Sequence, residues 1–197
     1  MHVLLINGSP HEKGCTYTAL SLVAGELNAA GITTEILNVG TKPVGGCIGC
    51  GGCAKGNGCV FGGVVNEAIE KAKTADAFVF GTPVHYASAS GNMTSFLDRL
   101  AYAGGKYLAY KPAAICASAR RAGTTSALDQ LPLVSGSYWP MVHGSNPEQV
   151  LQDEEGCAVM KELGRNMAWL FQCIEAGKAA GISHPENPRR PMTNFIR

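Results

Sequence analysis

Short apolar runs alternate with longer stretches whose apolar residues recur at helical spacing, and this rhythm runs from His2 to Ala180. His2 to Asn7 reads as a buried strand, and Thr16 to Ala30 as a helix with Ala19, Leu20, Val23 and Leu27 on one face. Thr33 to Val39 gives a second strand. Val64 to Thr74 predicts a helix, Ala77 to Gly81 a third strand ended by Pro83, and Gly91 to Tyr102 a helix with Met93, Phe96, Leu97 and Leu100 as its core stripe. Ala113 to Ser118 and Trp139 to Gly144 complete five strands. Between them Thr124 to Leu131 reads as a short helix, and Gly156 to Ala180 as a long closing one. Successive parallel strands need a crossover, usually a helix, so the alternation predicts an α/β protein with a doubly wound parallel sheet. No repeat or internal boundary breaks it: residues 1–181 are expected to form one domain. Ser145 to Glu155 is a polar stretch, and residues 182–197 read as a Pro-rich tail, a frayed terminus in the first instance, with docking of Phe195 and Ile196 on a neighbouring subunit as the alternative.

Charge narrows the function. Sixteen basic residues against 15 acidic ones leave a net charge of +1, so no global field recruits nucleic acid or an anionic membrane, and small-molecule chemistry is expected. The first residues lack the basic segment and long apolar core of a secretory signal, and no run reaches membrane-spanning length. A cytoplasmic location is therefore expected. Thiols stay reduced there, and the eight cysteines read as ligands or core residues rather than disulfides. Cys116, Cys157 and Cys173 lie in apolar or helical stretches and are assigned to the core.

The other cysteines crowd together. Cys47, Cys50, Cys53 and Cys59 fall within thirteen residues, Cys-Ile-Gly-Cys-Gly-Gly-Cys-Ala-Lys-Gly-Asn-Gly-Cys, with glycine in every interval. Such a backbone can wrap a compact object and aim several thiols inward. Three readings stand: a cubane iron-sulfur cluster with one iron per thiolate, a four-cysteine zinc site, or a thiol loop without metal. Zinc sites usually separate two close cysteine pairs by a longer spacer, which disfavours the second.

In an open parallel sheet, ligands sit beyond the carboxyl ends of the strands where the strand order reverses, which directs attention to three loops. The first, Gly8-Ser9-Pro10-His11-Glu12-Lys13-Gly14-Cys15-Thr16, opens directly into a helix and offers hydroxyls, backbone N–H groups and a positive helix end, a combination suited to a phosphate. It is not a Walker A loop, because Lys13 precedes Gly14 and Cys15 follows. It is not a dinucleotide fingerprint, because residue 10 is Pro and strand two ends without an acidic residue. A thiol phosphatase would need a cysteine opening the loop and an arginine closing it, and no arginine occurs before Arg99. Ser9, Thr16 and Thr18 are read as phosphate contacts, although Ser and Thr also cap turns and helices in the same geometry. The second loop, Thr82 to Gly91, can lie along a flat ring; Tyr86 can stack there or pack between subunits, and His85 carries no catalytic assignment. The third, Ser118 to Thr124, brings backbone donors plus Arg120 and Arg121, one of which is expected to approach a cofactor or nicotinamide phosphate. Asp98 and Arg99 sit on a helix and are read as pairing with neighbours, a structural role.

Gly8-Ser9-Pro10 after a first strand, Pro83-Val84-His85-Tyr86 with Ser88 and Gly91, Phe96-Leu97-Asp98-Arg99 and the Gly123 loop together resemble the NADPH-dependent FMN reductase group of flavodoxin-like proteins, over most of the chain. Within that group the Cys-x2-Cys-x2-Cys-x5-Cys spacing resembles the iron-sulfur flavoproteins, whose compact motif holds a [4Fe-4S] cluster beside FMN. The resemblance implies a flavodoxin-like three-layer sandwich with sheet order 2-1-3-4-5. It implies FMN contacts from Ser9, His11, Gly14, Cys15, Thr16, Thr18, Pro83, Val84, His85, Tyr86, Ser88, Gly91, Ala119, Arg120, Arg121 and Gly123, and cluster ligation by Cys47, Cys50, Cys53 and Cys59. The expected activity is that of an NAD(P)H-dependent FMN oxidoreductase passing electrons, through the cluster where present, to a quinone, a ferredoxin or a similar acceptor. The flavin does the chemistry, so no side chain is assigned a catalytic role. A homodimer or homotetramer is expected by the same resemblance. The alternatives are an FMN-binding electron carrier not reduced by NAD(P)H, and a regulatory or metal-sensing protein that uses the fold without flavin.

Overall fold

The computed structural model describes residues 1–56, 58–129 and 139–184. In chain order the elements are β1 (His2–Asn7), α1 (Cys15–Ala29), β2 (Thr33–Asn38), a single 3₁₀ turn (Gly52–Lys55), α2 (Val64–Ala72), β3 (Ala77–His85) and the two-residue β4 (Ser88–Ala89). They continue with α3 (Gly91–Leu108), β5 (Ala113–Ala119), α4 (Thr124–Leu128), β6 (Met141–His143), α5 (Pro147–Gln152) and α6 (Glu154–Ala179). Five strands pair in parallel in the order β2-β1-β3-β5-β6, and β4 pairs antiparallel with the end of β3. Apart from β4 this is the expected flavodoxin-like order. The order reverses between β1 and β3, so a crevice is expected beyond their carboxyl ends.

Strand alternation builds the three layers. Val3, Leu5, Ala77, Val79, Ala114, Cys116 and Val142 pack with α1 and α6 on one face; Leu4, Ile6, Phe78, Phe80, Ile115 and Ala117 pack with α2 and α3 on the other. Burial on both faces is why these strands read as continuous apolar runs. Phe96, fully buried on α3, anchors the second layer; its removal would cost about 3–5 kcal/mol by the usual large-to-small scale.

Several expectations need correction. Pro83 does not end the third strand: β3 continues to His85, with Thr82 and Pro83 in register with Ala117 and Ser118. The pairing with β1 ends at Gly81 and that with β4 begins at Val84, so at Pro83 one edge of β3 is unpaired and a residue without an N–H is tolerated there. The polar stretch from Ser145 to Glu155 is not a bare connection. Asn146 caps α5, and Asp153 caps α6, which begins at Glu154 rather than Gly156. Those carboxamide and carboxylate groups satisfy helix N–H groups, which is why the stretch looks like loop by composition. Helix α3 runs on to Leu108, and β6 is shorter than Trp139 to Gly144. Cys173, assigned to the core, is exposed on α6, whereas Cys116 and Cys157 are buried as expected. The end of the Thr124 to Leu131 helix, together with Phe195 and Ile196, lies outside the described residues. Among the described residues no helix is long and apolar enough to cross a membrane.

Candidate functional site

Asn7, the last residue of β1, is completely buried. Its Nδ2 donates to Asn38 Oδ1 at 2.8 Å and to the carbonyls of His11 and Glu12 at 3.3 Å each, while its Oδ1 accepts the Ser9 N–H at 3.1 Å. Ser9 Oγ then accepts the His11 N–H at 3.1 Å. The first loop is thereby curled over the end of its own strand and delivers the start of α1. That start has no side-chain cap and no acidic residue in its first turn. The first-turn N–H groups lack intrahelical partners and the helix dipole adds positive potential.

The expected phosphate hydroxyls point elsewhere. Thr16 Oγ1 is paired with Ser118 Oγ at 2.8 Å, Thr18 Oγ1 donates to the Gly14 carbonyl at 3.1 Å, and Ser9 is almost fully buried. These three side chains shape the loop and tie it to β5; the backbone N–H groups are what it presents. Gly8 has a packing reason: a Cβ there would lie 2.8 Å from Met93 Sδ and 2.9 Å from the Gly81 carbonyl oxygen. Its own N–H donates to that carbonyl at 2.8 Å, and its carbonyl accepts from Ser90 Oγ at 2.9 Å. Ser90 also caps α3 and donates its backbone N–H to Thr82 Oγ1. Burial pushes the Cys15 thiol up, with Glu148 adding to the effect, and its Sγ donates to the Gly144 carbonyl at 3.6 Å.

The second and third loops meet. His85 and Ser88 pair across a hairpin whose two central residues, Tyr86 (φ 50°) and Ala87 (φ 59°), are both left-handed without being glycine. This is the backbone of a type I′ turn, built here from residues that each carry a cost of order 1 kcal/mol. Tyr86 at the tip is fully exposed, and His85 is exposed. Gly123 packs beneath them: its φ is 89°, and a Cβ would lie 2.9 Å from both Ala87 Cα and Val84 Cγ1. Ala119 is buried at the end of β5, while Arg120, Arg121 and His11 are exposed. Thus Pro83, Val84, Ala87, Ala119 and Gly123 converge with the first loop on one sheet edge. Asn7, Thr82, Ser90 and Ser118, which hold that edge together, were not singled out from the sequence. The available signal was a polar residue closing an otherwise apolar strand.

The cysteine segment follows β2 on the same edge. Cys47, Cys50, Cys53 and Cys59 line one cavity of about 140 Å³, together with Ile48, Val60, Phe61 and Tyr102. Among the described residues no carboxylate or lysine lines it. Gly49, Gly51, Gly56 and Gly58 have positive φ, and the 3₁₀ turn between them carries Cys53. Among the described residues no three His, Cys, Asp or Glu side chains converge tightly enough to hold a single metal ion. Three side chains from helices fasten the segment. Asn92 accepts the Val44 N–H at 3.1 Å and donates to the Lys42 carbonyl at 3.1 Å. Asn66 brackets the Cys59 backbone, accepting its N–H at 2.8 Å and donating to its carbonyl at 3.0 Å. Arg99, 6% exposed, donates Nε to Cys59 Sγ at 3.2 Å and its terminal nitrogens to the carbonyls of Gly45 and Gly62 at 3.4 and 3.0 Å. The neighbours that Arg99 pairs with are not carboxylates: helix α3 turns it inward against the cysteine segment, where carbonyls and sulfur take that place.

Comparison with known proteins fits this geometry. An iron-sulfur flavoprotein of Methanocaldococcus jannaschii is 26% identical over 192 residues, covering 89% of this chain and all of that protein. An iron-sulfur flavoprotein of Archaeoglobus fulgidus is 33% identical over 99 residues, about half of each chain. The NAD(P)H:quinone oxidoreductase of Methanothermobacter marburgensis shares the fold with a TM-score of 0.63 at 18% identity, covering 85% of this chain and 96% of that one. The model of the NADPH-dependent FMN reductase family matches residues 1–153, from β1 through the capped start of α6, and the chain belongs to that family of FMN-dependent NAD(P)H oxidoreductases.

Proposed function

We propose that this oxidoreductase takes electrons from NAD(P)H at an FMN held by the three converging loops and passes them on through a [4Fe-4S] cluster held by Cys47, Cys50, Cys53 and Cys59. The observation that carries the reading is the sulfur-lined cavity fastened to α3, the helix whose capping residue Ser90 also holds the first loop. From Ser90 to Arg99 the helix rises about 14 Å, so one rigid element ties the two sites together.

The residues fit both groups by donor chemistry. The first loop offers an uncapped helix start free of acidic side chains, which suits a phosphate monoester. The phosphate rests on the N–H groups of the α1 start, with Ser9, His11, Gly14, Cys15, Thr16 and Thr18 forming the cradle. Pro83, Val84, His85, Tyr86, Ser88 and Gly91 form one wall for the ring, and Ala119, Arg120, Arg121 and Gly123 the other. Arg120 and Arg121 are exposed and available to a nicotinamide phosphate. Bound FMN supplies hydride acceptance and one-electron release; the protein orients the donor and keeps water and side reactions away. Four thiols around one apolar void suit a cluster, because its ligands bind different iron atoms and stand wider apart than those of a single ion. The name of the Methanocaldococcus relative points the same way. The acceptor is a quinone, a ferredoxin or a similar small redox partner. The location is the cytoplasm, where the thiols stay reduced, and a homodimer or homotetramer brings a second subunit against the exposed Tyr86.

Anaerobic protein supplied with iron should contain about four irons and four acid-labile sulfides per chain. Near-zero values with FMN bound would defeat the cluster. Rapid bleaching of the flavin by NADPH or NADH is the expected reductase behaviour; reduction by ferredoxin alone would instead establish an electron carrier.

A further inference from the structure

Arg99 is the one charged side chain within hydrogen-bond reach of a cysteine of the loop among the described residues, and its placement is specific. It comes from mid-α3, is nearly fully buried, and uses all three guanidinium nitrogens on the cysteine segment: Nε on Cys59 Sγ, and Nη1 and Nη2 on the carbonyls of Gly45 and Gly62. Those two carbonyls flank the motif, one before Cys47 and one after Cys59, so a single planar fork closes both ends of the loop. Phe61 covers the guanidinium, whose carbon lies 5.3 Å from the ring centre. Among the described residues no carboxylate partners it; its counterpart in this wall is sulfur.

We infer that Arg99 is a positioning residue for the cysteine site that sets its redox poise, holding Cys59 in the cavity wall and favouring the more negatively charged, reduced form of whatever iron-sulfur group the four thiolates ligate. This rests on the cluster reading above. The physical reason is that a fixed positive charge with an N–H aimed at a ligating sulfur stabilises added negative charge, and burial keeps solvent from screening it. Asn66 provides the contrast: it holds the same cysteine by two backbone bonds and brings no charge.

The test is a redox titration of the iron-sulfur signal in full-length, anaerobically loaded protein, with iron and sulfide counted for each variant. Arg99→Gln should lower the reduced-to-oxidised ratio at the wild-type midpoint by tenfold or more, equal to a shift of 59 mV or more for one electron. Arg99→Lys, which keeps charge but not the fork, should fall between wild type and Arg99→Gln. Asn66→Ala should lose iron occupancy while whatever signal remains keeps the wild-type midpoint. An Arg99→Gln midpoint equal to wild type, or a shift matched by Asn66→Ala, overturns the inference and leaves the cluster reading standing. Should Arg99→Gln load no iron, Arg99→Lys decides: a midpoint equal to wild type overturns the inference. Wild-type protein without iron and sulfide overturns both.

Discussion

The two ligand loops on this sheet edge are built on opposite plans. The loop after β1 is fixed from within: Asn7 bonds to three other positions of its own turn, Ser9 bonds to His11, and the turn is sealed by Gly8 pressed against Gly81 and Met93. The cysteine segment after β2 is held from within by the backbone bonds of its short turns, with no buried side chain like Asn7 bridging them, and is fastened from outside by Asn66, Asn92 and Arg99. Its four thiols face a void and its glycines add no side-chain contacts. A loop of the first kind is ready before its ligand arrives. One of the second kind gains much of its order from what it binds, since ligation energy becomes folding energy.

The widest separation between the loops should come from removing a thiol. Cys50→Ser is expected to abolish iron and sulfide while FMN stays bound at full stoichiometry, because the flavin loops share no side chain with Cys50. In the metal-depleted protein the exposed Lys55, within the loop, should become the first site of trypsin cleavage. Mass spectrometry of a brief digest of loaded and depleted protein checks this. Equal cleavage in both would mean that the cysteine segment is as preformed as the first loop.

The reverse perturbation is Asn7→Ala. It strips the partner from the Ser9 N–H and from Asn38, both near β1, and should cost about 3 kcal/mol in urea unfolding. FMN affinity should fall roughly tenfold or more, with iron content per folded chain unchanged. Gly8→Ala acts at the same place with a smaller effect: the new methyl meets Met93 Sδ and backbone, for about 1–3 kcal/mol of overpacking. Iron loss in parallel with flavin loss in either variant would show that the loops are one cooperative unit.

How much of this was legible depends on which force writes the pattern. The sheet was, because β1, β3 and β5 are buried on both faces and must be apolar throughout, and the cysteine spacing is a local signal that survives without the fold. The bonding partners of Asn7, Ser90, Asn66 and Arg99 were not. Ser90 and Arg99 act across long sequence separations, 82 residues to Gly8 and 40 to Cys59, Asn7 and Asn66 clasp the backbone of nearby turns, and an isolated polar residue on a helix or strand looks like surface. Pro83 misled for a related reason: its missing N–H matters only where both strand edges are paired, and the pairing belongs to the sheet. Residues 145–155 misled because capping residues have loop-like composition. The turn at Tyr86-Ala87 lacks the Asn-Gly or Gly-Gly signature of its type, so only the observed positive φ values reveal it.

The smallest effect contrasts the thiols of the loop with a thiol of the core. Cys47 and Cys50 are exposed, whereas Cys116 is fully buried in β5, and burial pushes its thiol up to about 12 from 9.0. In native, iron-free protein near pH 8 a thiol reagent should therefore modify Cys47 and Cys50 promptly and leave Cys116 untouched until unfolding. The same burial has a stability consequence of definite sign. Below pH 9 the Cys116 thiol is protonated in both folded and unfolded chains and imposes no pH dependence. Above it the unfolded chain releases the proton while the folded one keeps it, so stability contributed by the neutral thiol declines as pH rises from 9 towards 12, by at most about 1.4 kcal/mol per pH unit. Cys116→Val should flatten that part of the urea-midpoint curve between pH 9 and pH 10.5 by an amount set by this one group. A wild-type curve and a Cys116→Val curve that run parallel would place the alkaline loss in other groups, and would mean that β5 opens readily enough for burial no longer to hold the proton on its thiol.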